Sequence, residues 1–150
     1  MISTVGDIFI ERLKARYSAD SKVIVETTSD NYFSILSKRF PICGSKIAWN
    51  SVSGAIQKES NVQDINYFFK DASNFLEEML ARRELSEIDE VIIIGDSAIE
   101  EAIRLPIKFL KEIFSELLEL PQHLYILQEN GDWCLSVTME GDLCFGNGKL

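Results

Sequence analysis

One uninterrupted run of β-branched residues constrains the fold more than any other part of the chain. Val91-Ile92-Ile93-Ile94 is bounded by the acidic pair Asp89-Glu90 on one side and by Gly95 on the other. A strand with one exposed face alternates apolar and polar residues, whereas a short continuous apolar run indicates burial on both faces. The sequence therefore predicts a central strand at 91–94 that is covered on both sides.

The segments around this strand predict an α/β domain. Residues 64–83 carry a wide apolar stripe at helical spacing. That helix would cross the sheet and return the chain to residue 91, which gives a βαβ unit. Residues 22–27 are rich in β-branched side chains and predict another strand. A length of 150 residues suits one domain. We expect a single α/β domain, residues 1–150, with a mixed sheet and helices packed on it.

Two stretches have the form of helix N-termini. Thr4, followed by Asp7, predicts a capped helix at the start of the chain. Ser97-Ala98-Ile99-Glu100 has the pattern of a capping box and predicts a short helix that runs from Ala98 to Arg104. Residues 54–61 show neither helical nor strand periodicity and are expected to form a loop.

The C-terminal residues predict an antiparallel β-meander over 122–145. Asn130-Gly131 is a strong two-residue hairpin signal. It sets a register in which Tyr125 lies opposite Ser136, and a following loop of odd length would bring Leu143 and Phe145 to the apolar face. The other face is unusually rich in hydroxyl groups and is expected to be exposed. It carries His123, Tyr125, Ser136 and Thr138.

The negative charge is concentrated in the second part of the chain. The net charge is −9, and residues 1–60 contribute eight Lys and Arg against six Asp and Glu. Residues 61–150 contribute seven against eighteen. Such a surface repels phosphates, which argues against direct binding of nucleic acid. It suits either an ordinary solvated surface or a face that attracts a basic partner.

Other sequence features indicate a cytoplasmic protein that does not enter a membrane. The apolar runs stay near strand length, well short of a membrane span. The N-terminus shows no basic region followed by an apolar segment, so no signal peptide is predicted. Cys43, Cys134 and Cys144 are an odd number without metal-like spacing, which favours reduced thiols.

Gly95-Asp96-Ser97 after a buried strand resembles the first block of the GDS-type serine hydrolases. The resemblance implies Ser97 as a nucleophile and His123, the single histidine, as its base. Those enzymes carry the histidine in an Asp-x-x-His motif, but here Leu120 stands three positions before His123. A small serine hydrolase is therefore kept as an alternative. The chain has neither a second metal-ligating histidine nor a phosphate-binding glycine loop, so we expect no metal and no cofactor.

A second resemblance involves the C-terminal meander. The residues concerned are Pro121-Gln122-His123, Tyr125-Ile126, Trp133-Cys134, Thr138-Met139-Glu140-Gly141-Asp142-Leu143 and Phe145-Gly146. They resemble the C-terminal signature of small bacterial immunity proteins, which are cytoplasmic antidotes to contact-dependent growth-inhibition toxins and related polymorphic toxins. The likeness is clear over about the last 25 residues of the chain. It implies an inhibitor that binds a cognate toxin domain, commonly a nuclease, and it implies no catalytic residue.

The physical character of the chain agrees with such a partner. A nuclease needs a cationic groove for phosphates, and an acidic protein is suited to occupy that groove. An aromatic residue, Tyr125 or Trp133, is the predicted anchor of the interface. An acidic adaptor unrelated to toxins is the remaining alternative. The predicted interface consists of Tyr125, Asp132, Ser136, Thr138, Glu140 and Asp142, with Asp96 and Glu101, beside Glu100, as a second choice.

Overall fold

The computed structural model describes residues 4–149, which form four α-helices, one 3₁₀ turn and nine strands. In chain order these are α1 (Val5–Arg16), β1 (Ile24–Glu26), α2 (Asp30–Arg39), β2 (Ile42–Cys43), β3 (Lys46–Ile47), the 3₁₀ turn (Trp49–Ser51), β4 (Ile56–Glu59), α3 (Ile65–Arg82), β5 (Glu90–Gly95), β6 (Ala102–Pro106), α4 (Ile107–Leu118), β7 (Leu124–Leu127), β8 (Trp133–Val137) and β9 (Asp142–Asn147).

Seven of the strands form one sheet in the order β1-β6-β5-β7-β8-β9-β4, while β2 and β3 form a separate hairpin. The α/β class, the interior strand at 91–94 and the C-terminal meander are confirmed. Every neighbouring pair is antiparallel, so the sheet is not mixed in direction as expected. The crossover through α3 is nevertheless present, because β4 and β5 run in the same direction with three strands between them.

Both faces of this sheet are covered. On one face, α1, α3 and α4 bury the larger core, to which the central strand contributes Val91 and Ile93. On the other face, α2, β3 and the 3₁₀ turn bury a second core with Ile92 and Ile94. All four central side chains are at most 1% exposed, which confirms the prediction from the β-branched run. The domain therefore has three layers.

The second covering layer corrects the predicted surface of the meander. The register is as predicted, with Tyr125 opposite Ser136, and the odd turn places Leu143 opposite Val137. However, Tyr125 and Ser136 are only 3% and 1% exposed. The expectation of an exposed hydroxyl-rich face was wrong, because Tyr32, Leu36 and Phe40 of α2 need a partner for their own apolar side chains and find it on this face.

Of the predictions made from local sequence signals, some are confirmed and others are wrong. The capping box of Thr4 and Asp7 is present at the start of α1. The predicted helix from Ala98 to Arg104 is wrong: residues 96–101 form a bent loop, and 102–106 form β6 between β1 and β5. The predicted loop at 54–61 contains the edge strand β4, which pairs with β9. Pairing with distant strands overrides the local pattern in both places.

Candidate partner-binding site at the end of the central strand

The Gly95-Asp96-Ser97 motif forms a structural junction with the segment that precedes β7. The Asp96 N–H donates to the carbonyl of His123 at 3.2 Å, and Oδ1 of Asp96 accepts from the His123 N–H at 2.8 Å. The Ser97 hydroxyl donates to the carbonyl of Pro121 at 3.2 Å. These bonds fix the chain where it leaves the central strand, so the motif positions the loop that follows.

The side chain of Gln122 binds backbone N–H groups of this loop, as a capping residue does at the start of a helix. Its side chain is 4% exposed, and Oε1 accepts from the N–H groups of Ala98 and Ile99 at 3.0 and 3.2 Å. Gly95 allows this, because a Cβ at position 95 would overlap the Gln122 amide. The capping-box pattern Ser97-Ala98-Ile99-Glu100 predicted a local acceptor for these N–H groups. The acceptor is instead Gln122, which lies more than twenty positions away in the chain.

The bent loop displays carboxylates around two adjoining cavities. The larger is a cleft of about 770 Å³, bounded by residues 27–30, α2, the β2–β3 hairpin and residues 95–100. A second cavity, of about 520 Å³, lies against the start of α1 and shares Ser97 and Glu100 with the cleft. Five acidic residues line these two cavities, and we refer to them as the acidic rim: Asp7, Asp30, Asp96, Glu100 and Glu101.

No cation neutralises the acidic rim within residues 4–149. Neither cavity is lined by a Lys, Arg or His side chain, and no rim carboxylate takes part in an ion pair. Some of these carboxylates are held by backbone groups, as where Oε1 of Glu101 accepts from the Glu100 N–H at 3.1 Å. The rim is therefore a locally fixed region of uncompensated negative charge, which attracts cationic groups over a distance.

The residues that a serine hydrolase would use are engaged elsewhere. The Ser97 hydroxyl bonds to Pro121 and, at 3.3 Å, to Oδ1 of the adjacent Asp96. Nδ1 of His123 accepts from the Met139 N–H at 3.1 Å. Both residues lie within the described part of the chain, and no hydrogen bond joins their side chains there. A nucleophile needs a hydrogen bond to its general base, so this geometry gives the alternative no support.

The predicted meander site is divided and largely enclosed. Tyr125, Ser136, Thr138 and Asp142 line a common cavity of about 370 Å³ beneath the β2–β3 hairpin. Within it, Nε1 of Trp49 donates to the Ser136 hydroxyl at 3.0 Å. Trp133, the other predicted anchor, is 1% exposed and belongs to the core on the opposite face. The aromatic and hydroxyl groups therefore belong to the interior and not to an open surface.

The meander carboxylates are held within the fold. Asp132 pairs with Arg39 at 3.1 Å, at the end of the sheet remote from the acidic rim. Glu140 pairs with Lys46 at 3.5 Å, and the pKa of Glu140 is lowered first by its own backbone N–H and then by Lys46 and His123. The N–H of Asp142 donates to the Thr138 hydroxyl at 3.0 Å, within the tight turn.

Of the predicted site residues, the structure brings Asp96, Glu101 and Tyr125 to the end of β5. Asp96 and Glu101 lie on the rim, and Tyr125 lines the wall of the cleft. Sequence reasoning missed Asp7 and Asp30 as members of the same surface. Both stand in the first turn of a helix, which is a usual place for an acid, so their sequence context gave no further signal.

The cysteines of the described part of the chain differ in exposure, and Cys43 is the exposed one. Cys134 and Cys144 are buried. Burial, followed by the charge of Asp142, raises the pKa of Cys144 to about 11, which keeps that thiol protonated and unreactive. Residues 4–149 contain no group of three or more His, Cys, Asp or Glu side chains placed to hold a metal ion.

Comparison with known proteins adds no identity to this geometry. The sequence matches no protein-family model, and no curated protein matches it. The relation to immunity proteins therefore stays a prediction that depends on the C-terminal residues. Within residues 4–149, none of the helices is both long and apolar enough to cross a membrane.

Proposed function

We propose that this chain is a bacterial immunity protein that acts in the cytoplasm by binding and neutralising a cognate toxin domain. The partner is basic, and a nuclease, whose cationic groove normally holds phosphates, fits this character best. The two proteins form a tight one-to-one complex, and the activity of the chain is binding rather than catalysis. It uses no cofactor and contacts neither nucleic acid nor membrane.

The acidic rim is the observation that carries this proposal. Five carboxylates surround two adjoining cavities that no Lys, Arg or His side chain lines within residues 4–149. A domain that only needed solubility would gain as much from acids spread over its surface. Grouped and uncompensated acids instead accelerate encounter with a basic surface and fix its orientation.

The rim also offers more than charge. Val5 lines the smaller cavity and is 59% exposed, and the lining of the cleft combines polar residues with apolar ones such as Leu36 and Ile99. Specific interfaces combine an apolar centre with a polar border. We therefore place the interface at the end of β5, and we rank the meander turn with Glu140 and Asp142 second.

Co-expression with a toxin tests the proposal directly. The toxin domain to use is the one encoded next to this chain's gene, and the measurement is survival of the cells together with co-purification of a one-to-one complex. The wild-type chain should protect. The triple variant Asp96→Asn/Glu100→Gln/Glu101→Gln should protect poorly, because it removes three rim charges with little change of shape.

Two controls separate the possible failures. Glu77→Gln/Glu78→Gln/Glu116→Gln changes net charge equally on exposed parts of α3 and α4 and should protect as well as wild type. Ser97→Ala keeps every rim carboxylate and should retain most of the protection even though it loses the bond to Pro121, whereas a hydrolase acting through Ser97 would lose its effect entirely. Absence of protection by wild type, with no complex formed, would reject the immunity function and favour an adaptor with another partner.

A further inference from the structure

The cleft beside the acidic rim has the dimensions of a binding site. Its volume of about 770 Å³ lies within the range of about 300 to 1,000 Å³ that is usual for small-ligand pockets. The Gly95–Glu100 segment forms one wall, and α2 with the β2–β3 hairpin forms the other. Electrostatic attraction alone does not require a cavity of this size, so its shape calls for a separate explanation.

The lining of the cleft includes apolar and aromatic side chains. Phe33 and Tyr125 both line it, with their ring centroids 5.9 Å apart in an edge-to-face arrangement of 83°. Three carboxylates, those of Asp30, Asp96 and Glu100, lie among the other lining residues. Aromatic rings combined with carboxylates favour an organic cation, because both attract positive charge while the rings also bury an apolar stem.

Tyr125 is a second feature of the cleft that suits a polar ligand. Tyr125 is 3% exposed as a whole residue and lines the cleft. Its hydroxyl is not among the fully enclosed unpartnered atoms of residues 4–149, which are Nε2 of Gln122 and Nε1 of Trp133. Burial, and next the charge of Asp96, raise the pKa of Tyr125, so the hydroxyl stays neutral and retains both a proton and acceptor lone pairs. The hydroxyl therefore opens onto the cleft, where it can donate to or accept from a bound polar group.

We propose that the cleft receives one arginine side chain of the basic partner, an inference that rests on the proposed function. Its guanidinium group would bind between the rim carboxylates and the Tyr125 hydroxyl, with the aliphatic stem against Phe33. A guanidinium has five N–H donors in one plane and stacks on aromatic rings, which suits several separated acceptors better than the single point charge of lysine. A free small cation is less suited, because the acidic rim continues beyond the cleft around the second cavity.

The first test uses the isolated protein and a small probe. Butylguanidinium is titrated into the ¹⁵N-labelled protein, with butylurea as its neutral analogue. We expect saturable shifts at the amides of Gly95, Ser97 and Phe33, with a millimolar dissociation constant, and none with butylurea. Asp96→Asn/Glu100→Gln should weaken binding roughly tenfold and Tyr125→Phe a few-fold, while Glu78→Gln on the other face of the sheet should have no effect. Shifts that do not saturate, or that butylurea reproduces, would overturn the proposal.

The second test blocks the cleft without changing its charge. Ser37 is an exposed residue of α2 that lines the cleft, and Ser34 is an exposed residue of α2 that does not. Ser37→Trp should abolish butylguanidinium binding and lower affinity for the toxin domain at least tenfold, mainly through faster dissociation, whereas Ser34→Trp should do neither. If Ser37→Trp abolishes probe binding but leaves the complex unchanged, the cleft is a site for free cations and the partner arginine is excluded. The proposed function would survive that result, because the rim variant tests it separately.

Discussion

The two ends of the sheet use their carboxylates in opposite ways. At the end where β5 begins, Arg104 binds Glu90 at 2.8 Å and Glu129 at 3.0 Å, and Arg39 binds Asp132 at 3.1 Å. At the end where β5 finishes, the acidic rim has no cation among the described residues that line its cavities. The first end satisfies its charges within the chain, and the second leaves them available to another molecule.

This difference separates charges that hold the fold together from charges to which we assign a role in binding. The Arg104 side chain is only 15% exposed, so its ion pairs are shielded from solvent and hold β1, β5 and the β7–β8 turn together through β6. Repulsion among the rim carboxylates slightly disfavours folding, a cost that a domain retains when binding requires it. The predictions below test this contrast, beginning with the largest effect.

Loss of Arg104 should cause the largest change in stability. Arg104→Met would leave the Tyr32 hydroxyl without its 2.8 Å donor and would remove the cation shared by Glu26, Glu90 and Glu129. We expect a loss of about 2 kcal/mol in the free energy of unfolding, measured by urea denaturation. Arg82→Met, which breaks an exposed pair with Glu78, should cost only about 0.5 kcal/mol. Equal losses would show that the network around Arg104 does not hold the fold.

Neutralisation of the rim should change the rate of association with the partner strongly and the free energy of unfolding little. Asp96→Asn/Glu100→Gln/Glu101→Gln should slow association with the toxin domain roughly tenfold at low salt, and the difference should shrink as salt screens the charges. Its free energy of unfolding should stay within about 0.5 kcal/mol of wild type. Stopped-flow mixing and urea denaturation measure the two quantities. A strongly destabilised variant that associates at the normal rate would reverse the assignment of the two ends.

The sequence predicted the parts of the fold that depend on strong local patterns. The run Val91–Ile94 was enough to place a strand buried on both faces, and Asn130-Gly131 was enough to set the register of the hairpin. The prediction that Tyr125 is exposed was wrong, because its burial depends on where α2 docks and no local pattern records that contact. Helix α2 has its own apolar stripe, and a sheet buried on both faces needs a second covering layer, but neither fact says which strands α2 covers.

The candidate site was predictable to a similar extent. Asp96 and Glu101 follow the central strand in sequence, so their place at its end was expected. Asp7 joins them because α1 docks closely there, where a side chain on Gly6 would overlap the carbonyl of Ala98. Asp30 joins them through α2. Such convergence depends on tertiary packing between segments that lie far apart in the chain.

The paired end should also make stability depend on pH. Arg104 lowers the pKa of Glu129 below its ordinary value of 4.5, chiefly through their hydrogen bond. A carboxyl group whose folded pKa is depressed contributes stability above its unfolded pKa and loses it as pH falls through the folded pKa. Glu129→Gln should therefore reduce the loss of stability on acidification below about pH 4.5. The side chain of Glu129 is 66% exposed, so we expect less than about 1 kcal/mol. Urea denaturation at a series of pH values measures it, and an unchanged pH profile would contradict the prediction.

The smallest effect is expected at the meander turn, the other acidic surface at the end of the sheet where β5 finishes. Glu140 is 60% exposed but lies 3.5 Å from Lys46, so its charge is already compensated. Glu140→Gln should change association with the toxin domain by less than about twofold and stability by less than about 0.5 kcal/mol. Stopped-flow mixing at low salt measures the first and urea denaturation the second.

A charge exchange at the meander turn makes this last prediction decisive. Reversal at Asp142 would disturb the turn itself, because the Asp142 N–H and carboxylate both contact the Thr138 hydroxyl. Glu140→Lys combined with Lys46→Glu avoids this, since it keeps the net charge and the ion pair while exchanging the positions of the two charges. If the interface lies at the acidic rim, the exchanged protein should associate at close to the wild-type rate. A slowing as large as that of the rim variant would place the partner on the meander turn, and the charges left unpaired at the end of β5 would then have another role.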